Sequence, residues 1–319
     1  MRIVQVVPRL PPPFEGVGTY ASALAGTLAE RGIETRFVTG DGKRTPEALL
    51  ENLQGCETAL LHYAGYGYQS RGCPLWLVRG LERWRTPGRR LVTFFHEVWA
   101  TGPPWRSSFW LFPAQRRLAA RLARLSAALG TSLEIYGELL RHWRDGREMA
   151  VMPVFSTVGE PVDPPPLAER ARRIVVFGGA GVRRRTWGRH LPDLSKAVRD
   201  LGAEAVCDVG PPVETPAAVA GVPVRGLGVL PPEEVSALLL GSAAGFLAYP
   251  PAFLPKSTIF AAYCAHGVLP VCAWDGAPLD ALCWTGSGDP QAVASAARMW
   301  YAGHSLERQA ERFARLLKP

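Results

Sequence analysis

Long apolar runs are missing from this sequence. None approaches the roughly eighteen residues that a membrane-crossing helix needs, so no spanning helix is expected. The amino terminus, MRIVQVV, has no charged region ahead of an apolar stretch and no cleavage site, so no secretory signal is read there. Cysteine is sparse and scattered: Cys56, Cys73, Cys207, Cys264, Cys272 and Cys283 include no C-x-x-C pair. Four of them sit in apolar surroundings and read as buried thiols, which fits a reducing compartment, and a cytoplasmic location is expected. Acidic residues are the minority among the charges, 28 against 36 Lys and Arg, which leaves a net +8 carried more by arginine than by lysine. That balance suits an anionic membrane surface, nucleic acid or a phosphorylated small substrate. Helix-turn-helix, zinc-finger and aromatic–basic RNA signatures are all absent, so nucleic acid is not expected as a partner.

What is present is a globular chain of two-domain size. Its 319 residues are 47% hydrophobic and 20% charged, a composition that builds a core rather than a disordered or fibrous chain. The first half alternates strands (2–7, 34–38, 58–62, 90–95, 127–131, 149–155) with helices (19–31, 46–53, 74–84, 114–125, 133–143). Residues 99–113 read as a loop rich in Pro and Trp. Strands separated by helices require crossover connections, hence a parallel sheet. The Pro-rich stretch 159–169, GEPVDPPPLAE, reads as a linker. Beyond it the pattern repeats, with strands at 173–177, 204–209, 222–225, 244–248 and 269–272 and helices at 191–201, 232–240, 257–266, 290–301 and 305–317. The expected division is an N-terminal domain over 1–160, a C-terminal domain over 170–304, and a final helix over 305–319 packing back on the first domain.

In doubly wound sheets ligands bind beyond the carboxyl ends of the strands, so the loops after strands hold the candidates. Glu15-Gly16-Val17-Gly18-Thr19 opens a helix, where glycines permit close approach and free N–H groups attract an anion. A plain packing turn is the simpler alternative. His96-Glu97 ends a strand, and a histidine there suits an acceptor hydroxyl or a sugar. No second histidine follows Glu97 at metalloprotease spacing. His62 and Tyr63 end another strand, and Tyr63, Tyr66 and Tyr68 form either a sugar-stacking wall or ordinary packing. Gly178-Gly179-Ala180-Gly181-Val182 leads into Arg183, Arg184 and Arg185, which reads as a loop able to grip a diphosphate. Lys256-Ser257-Thr258 starts a helix, as a phosphate-facing cap or a plain N-cap, and it is not a Walker A loop.

Three segments resemble GT-B glycosyltransferases of the large group that includes sucrose synthases and bacterial polysaccharide mannosyl- and glucosyltransferases. They are PRLPPPFEGVGTYASALAGTLAERGIETRFVTG, FFHEVW and ALLLGSAAGFLAYPPAFLPKSTIFAAYCAHGVLPV. The resemblance implies two Rossmann-like domains with parallel sheets facing across a cleft, and a nucleotide diphosphate sugar as donor. It implies a saccharide or lipid-linked acceptor, metal-independent and retaining transfer, and a role in cell-surface polysaccharide or glycoconjugate assembly. No cofactor or metal ligand is implied. By resemblance, Gly16, Gly18, Gly179, Arg183, Arg184, Arg185, Lys256, Ser257 and Thr258 would serve the donor and its phosphates. His96 would be the catalytic residue, with His62, Tyr63 and Glu97 on the acceptor side. The basic helix over 116–124 would touch an anionic inner membrane surface, or else simply face solvent. Two departures stand out: Leu254 and Ala262 occupy the places of the group's paired glutamates, and Trp187-Gly188 replaces Lys-Gly. A non-catalytic nucleotide-sugar-binding chain and a GT-B epimerase are the alternatives.

Overall fold

The computed structural model describes residues 1–12, 16–275 and 281–318. The chain divides into two compact units, Met1–Pro153 joined by the segment from Leu306, and Val154–Ser305.

In the first unit β1 (Arg2–Val7), α1 (Gly16–Glu30), β2 (Glu34–Thr39), α2 (Pro46–Asn52), β3 (Thr58–Tyr63), a single turn α3 (Gly65–Tyr68), α4 (Leu75–Trp84), β4 (Arg90–Phe95), α5 (Ser107–Leu125), β5 (Ala128–Thr131), α6 (Glu134–Leu139) and β6 (Met149–Val151) follow one another. All six strands are parallel, in the order β2-β1-β3-β4-β5-β6. Every residue of β3 is buried, as expected of a strand covered by helices on both faces. Helix α1 turns Tyr20, Ala21, Leu24 and Leu28 inward at helical spacing, and Gly32 (φ 74°) ends the run.

In the second unit β7 (Ala171–Phe177), α7 (Ala180–Trp187), α8 (Leu191–Asp200), β8 (Ala205–Val209), β9 (Ala218–Val219), β10 (Val222–Gly228), α9 (Pro232–Leu240), β11 (Ser242–Ala248), α10 (Thr258–Ala265), β12 (Leu269–Ala273) and α11 (Pro290–Ala302) form a second sheet, β12-β11-β7-β8-β10-β9. Only short β9 runs antiparallel, against β10. The final helix α12 (Leu306–Leu317) belongs to the first unit, where it packs against α1. It buries Ala310, Phe313 and Leu317, and the Gln309 amide donates to the Pro153 carbonyl. The Pro-rich 159–169 stretch packs on the second unit: Leu167 N–H donates to Gln291, and buried Arg170 binds the Pro165 and His266 carbonyls.

Two segments differ from the sequence expectation. Helix α5 begins at Ser107 and carries Pro113 within it, so half of the expected 99–113 loop is helical. Pro113 removes one internal hydrogen bond, a loss that sequence reading takes as a helix boundary. The second is GGAGVRRRTW. It is not a loop but helix α7, with Gly179 as its N-cap and Gly188 as its C-cap. The glycines flank or open the helix instead of breaking it. Among the described residues no helix is long and apolar enough to cross a membrane.

Candidate functional sites at the carboxyl ends of the sheets

Strand order locates the crevices. In the first unit the chain leaves β1 for β2 on one side and crosses back to β3 on the other, so the switch point lies between β1 and β3. In the second unit the same reversal falls between β7 and β11. Ligands of open α/β sheets bind at the carboxyl end of that gap.

In the second unit two helices begin at this point, α7 after β7 and α10 after β11. Gly178 (φ 128°) joins them: a Cβ there would stand 2.4 Å from Ile259 Cδ1, in the first turn of α10. Only glycine gives both the backbone angle and the close approach. Ser257 caps α10 by accepting from the Phe260 N–H at 3.2 Å, and its residue is buried. Thr258 is half-buried, and Lys256 lies with Nζ 5.5 Å from the Phe253 ring. The first N–H groups of each helix have no acceptor within it, so two positive dipole ends meet at one place.

The three arginines divide. Arg184 and Arg185 are exposed, and Arg185 lies over the Trp274 ring at 5.7 Å. Arg183 is 2% exposed and turned inward. Its Nε donates to Asp208 Oδ1 at 2.9 Å, its Nη2 to Oδ2, and its Nη1 to the Pro211 carbonyl. Trp187 Nε1 donates to the same Asp208 oxygen at 2.8 Å. The expectation that Arg183 grips phosphate is therefore corrected, because its guanidinium is committed to a buried ion pair. Gly179 is a lesser correction: an added Cβ there meets nothing, and Gly178 is the demanding position. Leu254 and Ala262 are fully buried, so neither position faces a ligand.

In the first unit Gly18 carries the steric demand. A Cβ there would stand 2.1 Å from the Arg9 carbonyl oxygen, whereas one at Gly16 meets nothing within 4 Å among the described residues. Glu15 lies outside the described residues. Two residues on, Tyr20 meets the His96 ring edge-on at 5.1 Å. His96 is held from behind by a buried chain: its Nε2 stands 3.1 Å from His62 Nδ1, and His62 Nε2 stands 2.8 Å from Gln5 Oε1. Gln5 Nε2 donates to Thr35, so Oε1 accepts; His62 must then carry its proton on Nε2, and His96 Nε2–H must donate to His62 Nδ1. Burial lowers the His62 pKa to about 3, so this imidazole stays neutral.

His62 and Tyr63 are both fully buried, which corrects their expected place on the acceptor side: they stand behind the surface. The Tyr63 hydroxyl has no hydrogen-bond partner among the described residues, and burial, then nearby Cys73 and Glu97, push its pKa upward. Tyr68 is structural, donating to the carbonyls of Val6 and His62 across the switch point. Glu97 does face a cavity of about 290 Å³, lined also by Tyr66, Trp99, Gln115 and Tyr136. Gln115, 1% exposed, fixes its walls: Oε1 accepts from Ala100 N–H, and Nε2 donates to Tyr66 Oη and the Arg71 carbonyl. Sequence reading missed Gln115, Trp99 and Tyr136, which lie on a helix, a loop and another helix with no shared motif. Of the α5 arginines, Arg121 pairs with Glu82 and Arg116 lies over the Trp143 ring. Arg117 and Arg124 remain on the solvent side.

No protein-family model and no curated protein sequence matches this chain, so no sequence-level match assigns it to the group its motifs resemble. Solved structures match over nearly its whole length. An alpha-glucosyltransferase in complex with UDP-glucose and DNA containing an abasic site is 11% identical, with a TM-score of 0.59 over 100% of this chain and 99% of that one. The UDP-GlcNAc 2-epimerase from Methanocaldococcus jannaschii is 8% identical, with a TM-score of 0.55 and 99% of each chain covered. The glycosyltransferase SnogD from Streptomyces nogalater is 15% identical, with a TM-score of 0.52 over 99% of this chain and 100% of that one. The chain has the GT-B fold.

The exclusion of nucleic acid as a partner is overturned here. The alpha-glucosyltransferase has been solved repeatedly with DNA, including a 13-mer with a central A:G mismatch, and it shares this fold end to end. The structures solved with DNA have this same fold, so a chain with this fold need not carry a helix-turn-helix or a zinc finger to meet DNA. The absence of those motifs therefore excludes nothing.

Proposed function

We propose that this protein is a glycosyltransferase that takes a sugar from a nucleotide diphosphate donor, with UDP-sugars the first candidates. The observation that carries the reading is the meeting of the α7 and α10 N-termini at the β7/β11 switch point, joined through Gly178 and Ile259. Exposed Arg184 and Arg185, on the second turn of α7, have no acidic partner among the described residues. In this reading helix ends, guanidiniums, Lys256, Ser257 and Thr258 meet the charge of the departing diphosphate, the largest electrostatic demand of the reaction, without a metal ion. The alpha-glucosyltransferase structures that share the fold hold UDP or UDP-glucose, and the S. aureus MnaA structure holds UDP, which supports the donor class.

On the first unit, the Glu97 cavity takes the acceptor, with Tyr66 and Trp99 as apolar walls and Glu97 as hydrogen-bond acceptor for a hydroxyl. His96, positioned by His62, orients the reacting hydroxyl in a retaining transfer that builds a glycoconjugate. The missing glutamates at Leu254 and Ala262 favour, as the second reading, a chain that binds the nucleotide sugar without turning it over.

The test is titration of the purified protein with UDP, UDP-glucose, UDP-GlcNAc and the GDP-, ADP- and dTDP-sugars, followed by product analysis of each binder. Binding with release of UDP and of free or transferred sugar supports the transferase. A C2 epimer of the donor would instead mark an epimerase, and binding without turnover the non-catalytic reading. No binding to any of these ligands would sink the diphosphate assignment altogether.

A further inference from the structure

We infer that Cys272 and Cys283 form a reversible disulfide, a modification site distinct from the anion site. Cys272 lies on β12, and the residue after Cys283 is tied to that strand, with Trp284 N–H donating to the Pro270 carbonyl at 2.8 Å. That bond lays the second cysteine alongside the first, and their Sγ atoms stand 2.7 Å apart. Joining them needs a closing movement of under about an ångström toward an S–S bond of ~2.05 Å. Both thiols are buried, at 4% and 3% exposure. Cys272 nevertheless lines a cavity of about 240 Å³, with Lys196, Phe246, Trp274 and Trp284 among its other walls. That cavity can bring a small oxidant beside Cys272. Buried Cys56, by contrast, donates to the Thr58 carbonyl at 3.0 Å.

The oxidant is a peroxide. The Cys272 thiolate attacks one peroxide oxygen, the O–O bond breaks, and the departing hydroxide takes a proton to become water. The Cys283 thiolate then attacks the sulfenic sulfur, the S–O bond breaks, and a second hydroxide leaves as water. Two electrons pass from the sulfur pair to the peroxide, and the two thiol protons end in the two waters. A dithiol reductant reverses the bond by exchange, so in a reducing compartment it forms only under oxidative load.

Its position gives the bond a consequence, which rests on the proposed diphosphate site. Two and three residues beyond Cys272, Trp274 stacks on His190 and underlies Arg185, and Asp275 pairs with Arg189. The bond anchors the segment on which the basic flank of α7 leans.

The experiment is intact-mass spectrometry of the whole protein after brief hydrogen peroxide treatment, with non-reducing chymotryptic mapping. The expected result is a loss of about 2 Da, restored by dithiothreitol, with a cross-linked fragment joining Cys272 to Cys283. Cys264→Ser should keep the loss, and Cys283→Ser should abolish it. Persistence in Cys283→Ser, or gains of about 16 or 32 Da on unlinked cysteines in the wild type, would overturn the proposal. The wild-type map decides even if a serine variant fails to fold. UDP affinity compared between the two redox states then reads the coupling: unchanged affinity removes the consequence and leaves the disulfide standing.

Discussion

His96 Nε2 and His62 Nδ1 stand 3.1 Å apart, and the tautomer of the buried ring dictates that of the other. Since Gln5 Oε1 accepts from His62 Nε2–H, the His62 lone pair is left at Nδ1. Long-range proton–nitrogen NMR should therefore find His62 neutral, with its proton on Nε2, between about pH 5 and pH 8. Replacing Gln5 with leucine removes the acceptor and should populate the other tautomer. A charged His62, or a proton on Nδ1 in the wild type, would contradict the relay.

The arginine triplet should split in two separate assays. Breaking the buried pair by Arg183→Ala leaves Asp208 uncompensated and should destabilise the second unit by about 3–5 kcal/mol. Arg184→Ala and Arg185→Ala touch exposed side chains and should change stability by less than about 0.5 kcal/mol. Each should instead weaken UDP binding about tenfold or more, the worth of a charge-assisted hydrogen bond. Urea denaturation and UDP titration of the same three variants decide it. Equal behaviour of all three in either assay would return Arg183 to the surface.

Much of this was legible in the residues themselves. Alternating apolar runs and helical spacings yield the two parallel sheets, and the strand-end rule singles out His96, Glu97 and the Lys256-Ser257-Thr258 turn. The fate of Arg183 was not legible. Its partner Asp208 lies on β8, 25 residues away, and no local pattern says which of three consecutive arginines turns inward. Once α7 is known to be helical, successive arginines lie about 100° apart, so one facing the sheet leaves its neighbours facing elsewhere. The Glu97 cavity escaped for a related reason. Gln115 is a polar residue among arginines in the sequence, and only the packing of α5 against the loops after β3 and β4 reveals it as a buried bracket.

Two glycines named by sequence as a pair should prove unequal. Gly18→Ala drives a methyl into the Arg9 carbonyl and should cost about 3 kcal/mol, the upper range for overpacking against unyielding backbone. Gly16→Ala meets nothing within 4 Å among the described residues and lies in α1, so it should be neutral or stabilising by about 0.5 kcal/mol. The same contrast holds between Gly178→Ala, strained by φ 128°, and Gly179→Ala. Chemical denaturation of the four variants checks both pairs at once, and a costly Gly16→Ala would count against the packing described.

Acid should weaken each unit through one buried histidine. In the first unit His62 has its pKa lowered to about 3 by burial. In the second, His266 falls to about 4 through burial, reinforced by Arg170 and Arg298, although its bond to the Ala262 carbonyl opposes the shift. Unfolded histidine takes up its proton near pH 6.5, while both native rings stay neutral well below that. Between pH 6.5 and pH 4 the unfolded chain thus binds more protons than the native one, and stability falls as pH falls. From pH 7 to pH 5 each histidine should remove roughly 2 kcal/mol from its own unit. Below about pH 4 His266 charges in the native state too, and only the His62 contribution keeps growing. Urea midpoints at pH 7, 6 and 5, followed by tryptophan fluorescence, should show this slope, and His266→Gln should flatten it for the second unit alone. A variant that keeps the full slope would show that other groups carry the acid sensitivity.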